Sequence, residues 1–403
     1  MSIKILQITA AYKPAYIYGG PTMSVAKLCE ALSDKSTNED DSFDLEVFTT
    51  TANGKKELKN VKVGKISLVD GVKVIYFKRL TKDHTHFSPA LLFALKQRVN
   101  EQGLDQNNSL VIHIHAWWNL VSIFSCAIAK WYNVPVVLSP RGMLTAYTST
   151  NRNSLFKMII HQILGKRLLE YCHIHATSEQ EKTDILSIFK PKSITIIPNL
   201  VELSGAAPAL LHDKQKIKQN PELFKLIYLS RIEEKKGLEL LFEALTKLSF
   251  NWQLTIAGSG EESYVNTLKL KAKNLNLDSN INWVGQVKNE NKFNLLAEHD
   301  LMTLTSYNEN FANVVIESLS VGTAVLLSNQ VGLADYVETN KLGWITDLTP
   351  KNIKKNIVIA FEEVNSRLKI RSTAPDIITA DFKSKNLIKK YLTLYSQSRN
   401  GKL

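Results

Sequence analysis

Short apolar runs recur along the chain, and most are too brief for helices. "IKILQITA", "LEVFTT", "KVIYF", "LVIHIHA", "PVVLS", "CHIHATS" and "ITIIPN" fall in the first half. Several are continuously apolar, the pattern of parallel strands covered on both faces. Between the first two lies "PTMSVAKLCEAL", where Val25, Leu28, Cys29 and Leu32 form a helical stripe. Pro21 suits that helix's first turn. Residues 205–222, "GAAPALLHDKQKIKQNPE", are polar, contain two prolines and read as a linker.

The alternation then restarts. Strand-like "FKLIYLS", "WQLTIAG", "INWVG", "LMTLTS" and "AVLLS" alternate with helix-like "GLELLFEALTKL", "SYVNTLKLKAKNL", "NKFNLLAEH", "NVVIESLSVG" and "ADYVET". Such alternation implies right-handed βαβ units. The expected fold is α/β: two Rossmann-like, doubly wound domains facing each other across a cleft lined by strand carboxyl ends. The expected boundaries are 1–204, a linker at 205–222, a second domain at 223–383 and a last helix in 384–403.

Composition narrows the class. The 403 residues are 44% hydrophobic and 22% charged, as in soluble globular proteins. No run approaches the roughly 18 apolar residues of a spanning helix. "MSIKILQITA" lacks the features of a secretory signal and reads as a first strand. Cys29, Cys126 and Cys172 are scattered, without a disulfide or CxxC spacing, which suits a reducing cytoplasm. The formal charge is +12, which points to anionic partners. It is spread out, 24 basic against 17 acidic residues up to Leu203 and 26 against 21 beyond. Nucleic acid is therefore not the expected partner.

Four strand-to-helix loops carry the candidate chemistry. In "AYKPAYIYGGP", Gly19 and Gly20 precede a helix, where backbone N–H groups favour an anion. A turn needing positive φ explains the glycines equally well. Tyr12, Tyr16 and Tyr18 of that loop either stack on a sugar or anchor the loop. In "YLSRIEEKKGLELL", Arg231, Lys235 and Lys236 stand between a strand and Gly237, a placement that suits a diphosphate. "TIAGSGEESY" places Gly258, Ser259 and Gly260 in a third loop. In "SYNENFANVVIESL", Glu309 and Glu317 stand eight positions apart. At helical rise they would lie roughly 12 Å apart along the axis, too far for a glycosidase acid/base pair. That span suits a nucleotide ribose and a diphosphate-linked sugar.

Three His-x-His pairs occur: His84/His86, His113/His115 and His173/His175. In strands each pair would share one face, but no third ligand is marked, so no metal is expected. His115, before Trp117 and Trp118, is either a cleft residue or a packed strand-end histidine. "LFKMIIHQILGKRLLEY" combines an apolar face with Lys157, Lys166 and Arg167. It either rests on an anionic membrane surface or packs on a sheet.

Together, "YKPAYIYGGP", "IIPN", "SRIEEKKG", "IAGSGE", "VGQV" and "SYNENFANVVIESLSVGTAVLLS" resemble the GT-B fold glycosyltransferases, specifically family four, over nearly the whole chain. The resemblance implies retaining transfer from a nucleotide-diphosphate sugar, by front-face attack, with neither metal nor other cofactor. It implies that Gly19, Gly20 and Tyr18 approach donor diphosphate or sugar, and that Arg231 and Lys236 hold the diphosphate. Glu309 would bind the transferred sugar, beside Asn310, Phe311, Ala312, Asn313 and Val314. Glu317 would bind the ribose, the loop from Gly285 to Val287 would receive the base, and Gly258 would line the donor site. The last helix would cross back to the first domain.

Three positions depart from the family pattern. Ala312 and Ala324 stand where glycine and proline are common. Arg141, in "SPRGM", stands where many relatives carry a histidine aimed at the reacting sugar. An arginine is no base but suits an anion or leaving phosphate. His115 and Arg141 are therefore added to the catalytic candidates. The expected acceptor is a growing, lipid-linked surface glycan such as lipopolysaccharide, O-antigen or capsule, with the protein at the cytoplasmic membrane face. Two rival readings are a GT-B nucleotide-sugar epimerase and a non-catalytic sugar- or lipid-binding scaffold. A dinucleotide oxidoreductase fits less well, because no G-x-G-x-x-G follows either first strand.

Overall fold

The computed structural model describes residues 3–34, 43–103, 109–145, 165–203 and 223–400. Contacts divide the chain into two units, Met1–Leu200 with Ser384–Leu403, and Val201–Lys383. The 205–222 linker reading lies outside the described residues.

The first unit is an eight-stranded sheet with helices on both faces. In chain order it contains β1 (Ile3–Thr9), α1 (Gly20–Ser33), β2 (Phe43–Thr50), β3 (Ile66–Val69), β4 (Val72–Phe77) and α2 (Pro89–Gly103). There follow β5 (Ser109–His115), α3 (Leu120–Trp131), β6 (Val136–Ser139), α4 (Lys166–Leu169), β7 (His173–Ala176), α5 (Glu179–Ile188) and β8 (Ser193–Ile196). The strand order is β8-β7-β6-β5-β1-β2-β4-β3. All neighbours pair parallel except β3, which runs antiparallel to β4.

Alternation along each strand builds two cores. Leu6 and Ile8 of β1 join Ile112 and Ile114 of β5 on one face. Ile3 and Ile5 join Val111 on the other. The second face is closed by α1 and by the C-terminal helix, Ser384–Arg399, through Leu387, Ile388, Tyr391, Leu394 and Tyr395.

The second unit holds β9 (Phe224–Leu229), α6 (Leu238–Leu245), β10 (Trp252–Ala257), α7 (Glu262–Asn274), β11 (Ile281–Gly285), α8 (Asn289–Ala297) and β12 (Leu301–Leu304). It continues with α9 (Asn313–Ser320), β13 (Ala324–Ser328), α10 (Ala334–Thr339), β14 (Gly343–Thr346), α11 (Pro350–Glu362) and α12 (Val364–Asp381). The C-terminal helix of the first unit is then α13. The strand order is β11-β10-β9-β12-β13-β14, with parallel pairing throughout. In such a sheet the order reverses between β9 and β12, and ligands bind beyond the carboxyl ends of those strands.

Among the described residues, no helix is long and apolar enough to cross a membrane. Of the basic segment around Lys157, only its end is described. There Leu168 and Leu169 are buried in the first core, while Lys166 and Arg167 are exposed. That end packs on the sheet. The cysteines, scattered in sequence, are all buried and free, yet Cys126 Sγ and Cys172 Sγ stand 3.3 Å apart.

Candidate functional site

In the second unit, the loops after β9 and β12 meet where the strand order reverses. The β9 loop turns through a short 3-10 segment, Glu234–Lys236, and Gly237 at φ 68°. Thr305 Oγ1 donates to Gly237 O at 3.0 Å, and Tyr307 N donates to Lys235 O at 2.8 Å. A side chain on Gly237 would meet Thr305 O at 2.1 Å, so the close approach requires glycine. The approach brings the Lys236 ammonium onto the Glu309 carboxylate. The Lys236 side chain is 6% exposed and that of Glu309 21%, so each shields the other from an unpaired burial.

Glu309 is held from its other side by the loop after β13. Its N–H donates to Gln330 O at 3.0 Å, and its carbonyl accepts from Gly332 N at 2.8 Å. Arg231 is the more open cation. Its side chain is 41% exposed, and its Nη1 donates to Glu233 Oε1 at 2.5 Å. Tyr228 Oη donates to Arg231 O at 2.8 Å and steadies the backbone below it. Burial, with Lys236 beside it, pulls the Lys235 ammonium below its ordinary pKa.

Gly258 and Gly260 serve the same packing. Added side chains would strike Ser230 O at 1.8 Å and Ile232 O at 2.2 Å. Their glycines are explained by the neighbouring β9 loop. Gly258 N donates to Gly285 O at 2.7 Å, which ties the third loop to the one proposed for the base. Val287 is half-buried there, beside an open pocket of about 730 Å³ lined also by Val284, Gln286 and Asn291.

The two glutamates are not separated by a continuous helix. Only Asn313 onward is helical, so helical rise covers about 6 Å of the separation and the loop sets the rest. Glu317 carries a partner that the sequence did not mark. Lys292 Nζ of α8 donates to Glu317 Oε1 at 2.8 Å, both side chains being only 11–12% exposed. Burial raises the Glu317 pKa, and Lys292 opposes the rise. Phe311 and Ala312 are buried in the unit's core, at 2% and 8% exposure, whereas Asn313 and Val314 are half-buried. Ala312 is left-handed, at φ 63° and ψ 75°, as the residue before α9. This is where glycine is free and alanine is strained.

In the first unit, Gly19 takes φ 63° and opens α1, while Gly20 is exposed with open space around it. Tyr12 is fully buried and anchors the loop, and Tyr16 is 58% exposed. Tyr18 Oη accepts from Gly54 N at 2.9 Å, and its ring meets that of His86 edge-on. Tyr18 lines a pocket of about 800 Å³ with Lys55, Lys82 and His84.

The histidine pairs resolve differently from one another. His84 and His86 lie in a loop, so the strand argument does not apply to them. His113 and His115 do share a face, with rings 4.1 Å apart. Among the described residues, no three His, Cys, Asp or Glu side chains gather as metal ligands. His115 is the packed strand-end residue, 1% exposed, with both nitrogens engaged. It therefore reaches a ligand only through Arg141, whose Nε donates to His115 Nδ1 at 3.2 Å. Arg141 Nη1 donates to Asn199 Oδ1 at 3.0 Å. Burial pulls the guanidinium below its ordinary pKa.

A further residue escaped the sequence reading. Glu181, 2% exposed, accepts from Gly142 N at 2.7 Å, from Thr177 N at 2.7 Å and from Thr177 Oγ1 at 2.8 Å. It thereby fixes the turn that carries Arg141. Its signal was legible: Ser178-x-x-Glu181 has the spacing of a capping box. Ser178 does cap, accepting from Glu181 N at 3.1 Å, but the glutamate reaches across to the arginine turn.

Comparison with known proteins agrees with this architecture. Residues 18–204 match the family model described as Glycosyltransferase Family 4, and residues 211–376 that of Glycosyl transferases group 1. An uncharacterized glycosyltransferase of Methanocaldococcus jannaschii is 21% identical over 98% of both chains. Among solved structures, HepE from Anabaena in complex with UDP and glucose superposes with a TM-score of 0.69. It is 17% identical and covers 98% of this chain and 99% of its own. WaaG, a glycosyltransferase involved in lipopolysaccharide biosynthesis, reaches a TM-score of 0.67 at 14% identity, over 97% and 99% of the two chains. With one model spanning most of the first unit and the other most of the second, the chain belongs to the group 1 glycosyltransferases of the GT-B fold.

Proposed function

We propose that this glycosyltransferase moves a sugar from a nucleotide-diphosphate donor, with retention of configuration, onto a growing surface glycan carried on a lipid. The observation that supports this reading best is the Lys236–Glu309 pair at the point of reversal of the second sheet, with Arg231 open beside it. Donor binding would exchange partners. Lys236 and Arg231 would turn to the diphosphate, and Glu309 would be released to accept hydroxyl groups of the transferred sugar. Glu317 would take the ribose hydroxyls while Lys292 keeps its carboxylate charged.

As the glycosidic bond breaks, charge gathers on the departing diphosphate. The two cations and the first turn of α9 would stabilise it without reorganisation. They supply the charge that a divalent cation would otherwise bring, so turnover would persist in chelator. The nucleotide sugar bound by HepE makes UDP-glucose the first donor to try. The role of WaaG makes a lipid-linked glycan the first acceptor. Basic residues on the first unit, at the inner membrane face, would meet such an acceptor.

The test is turnover of a panel of nucleotide sugars, followed by product analysis with and without acceptor. Glu309→Ala and Lys236→Ala should each abolish transfer while the fold survives. Full activity in both variants refutes the assignment. An epimerised sugar without acceptor would replace transfer by the epimerase reading.

A further inference from the structure

The first sheet buries a row of polar side chains beneath α13. Gln7, His113, His115, Ser139 and His175 are each 1% exposed or less. Strand alternation puts them there. Gln7 follows Ile3 and Ile5, His113 and His115 follow Val111, and Ser139 follows Val137. Those apolar residues belong to the core that α13 closes. Leaving such groups unpaired would cost several kcal/mol, yet each of them is paired.

The bonds form one continuous file. Arg141 Nε donates to His115 Nδ1 at 3.2 Å. His115 Nε2 and Gln7 Oε1 are 2.7 Å apart, and Gln7 Nε2 donates to Tyr395 Oη at 3.1 Å. Tyr395 Oη and His113 Nδ1 are 2.8 Å apart, and His113 Nε2 and Ser139 Oγ 2.6 Å. Ser139 Oγ and His175 Nδ1 are 2.5 Å apart, and His175 Nε2 reaches Ile197 O at 2.8 Å.

The two ends set the direction of every bond between them. A guanidinium only donates and a backbone carbonyl only accepts. His115 Nδ1 must therefore accept, which leaves its proton on Nε2 and makes the Gln7 oxygen its acceptor. From the other end, His175 must carry its proton on Nε2, so Ser139 donates to it and accepts from His113 Nε2. His113 Nδ1 then accepts from Tyr395, whose oxygen accepts from Gln7. A flipped Gln7 amide would face one donor with another. Burial holds all three rings neutral, with their pKa values well below the ordinary range, so one proton per ring is the right count.

Arg141 is the unusual end of this file. Among the described residues its hydrogen-bond partners, His115 and Asn199, are neutral, and it makes no ion pair. Glu181 is the carboxylate that acts on its charge, from a distance and while bonded to Gly142 and Thr177, so the planar fork keeps donors that suit a phosphate.

We propose that Gln7, His113, Ser139, His175 and Tyr395 are positioning residues, which hold His115 as its Nε2–H tautomer so that the bare Nδ1 aims Arg141 at a phosphate of the substrate. The phosphate rests on the transferase reading; the relay does not. It ties the aim of Arg141 to the Tyr395 hydroxyl of the C-terminal helix.

The full chain labelled with [15N]histidine tests this by long-range 1H–15N correlation near pH 7. His113, His115 and His175 should all show protonated Nε2 and bare Nδ1. A single one of them as Nδ1–H overturns the relay, whatever the variants do. In Tyr395→Phe, Gln7 is free to flip and to donate its amide to His115 Nε2, in competition with the Arg141 bond to Nδ1. His115 should then show both tautomers, with donor turnover about tenfold lower, the scale of one lost hydrogen bond. Tyr391→Phe is the control. Its hydroxyl lies one turn away on the same helix and meets the file only at its far end, His175 Nε2, at 3.2 Å, where it accepts alongside Ile197 O. It should leave the His115 signals unchanged and turnover within about twofold. Equal effects of the two variants would mean helix packing and overturn the proposal. Correct tautomers with no transfer by the wild type would sink the transferase reading alone.

Discussion

Gly237→Ala puts the candidate donor site under direct strain. Gly237 sits at φ 68°, where an alanine costs about 1–2 kcal/mol. Its new methyl carbon would stand 2.1 Å from Thr305 O and 3.1 Å from Thr305 C, where ordinary contact begins at 3.4 Å. The obstacle is backbone at the end of a central strand, so it cannot swing aside. Overpacking of this kind costs about 1–3 kcal/mol. Alanine also stiffens the unfolded chain, which returns about 0.4–1 kcal/mol. The net expectation is a loss of about 1–5 kcal/mol. For a unit of this size each kcal/mol lowers Tm by about 2–4 °C, so the fall should be about 2–18 °C. Thermal unfolding by circular dichroism reads it, and calorimetry with UDP reads the site. Parting the two loops separates Lys236 from Glu309, so binding should weaken along with stability. Gly20→Ala is the matched control, since a side chain there meets nothing within 4 Å. A Gly237→Ala protein melting within about 1 °C of wild type would refute the reasoning, because the methyl would then have found room the structure does not offer.

Two further outcomes follow from the same kind of bookkeeping. Ala312→Gly relieves about 1–2 kcal/mol of left-handed strain, but loses a buried methyl worth about 0.8 kcal/mol and about 0.4–1 kcal/mol of unfolded-state stiffness. Urea unfolding should place it within about 1 kcal/mol of wild type, and a change beyond about 2 kcal/mol in either direction contradicts this balance. Burial pulls His86 and His173 down to about 4 and His175 to about 3, from 6.5. The unfolded chain therefore binds more protons between pH 6.5 and 4, and stability falls as the pH drops through that window. Each ring should contribute a loss of about 2 kcal/mol by pH 5, visible as a Tm that declines from pH 7 to 5 and recovers on return. A flat profile across that range would show that the rings are not buried as neutral groups.

Much of this molecule was legible in its pattern. Continuous apolar runs such as "LVIHIHA" and "AVLLS" became β5 and β13, because a parallel strand covered on both faces has little room for polar alternation. Helices with clean stripes, such as α6 and α9, were also readable. The helices α2, α3, α5, α11 and α12 were not read. In α12 the buried Arg367 and an internal proline, Pro375, break the pattern that periodicity relies on. The small antiparallel strand β3 also escaped, since at the sheet edge its residues alternate between exposed and half-buried and none is buried.

For the candidate site, the sequence by itself determined which chemical groups the loops of the second unit carry. Arg231, Lys236 and Glu309 could be placed at one end of the sheet because strand-to-helix loops in an α/β sheet all emerge at the same end, and Glu317 lies one turn into the helix that follows. What the tertiary structure decided was pairing. Lys236 meets Glu309 across 73 positions and Lys292 meets Glu317 across 25, contacts that depend on loop approach and helix packing. The same holds for His115. As a sequence feature it was an open choice between cleft and core. Only the fold shows it buried and joined to Arg141 on one side and Gln7 on the other, in a file that runs on to Tyr395, 388 positions beyond Gln7. Periodicity is a local property and survives in one dimension, whereas a hydrogen bond between distant strands exists only once the chain has closed on itself.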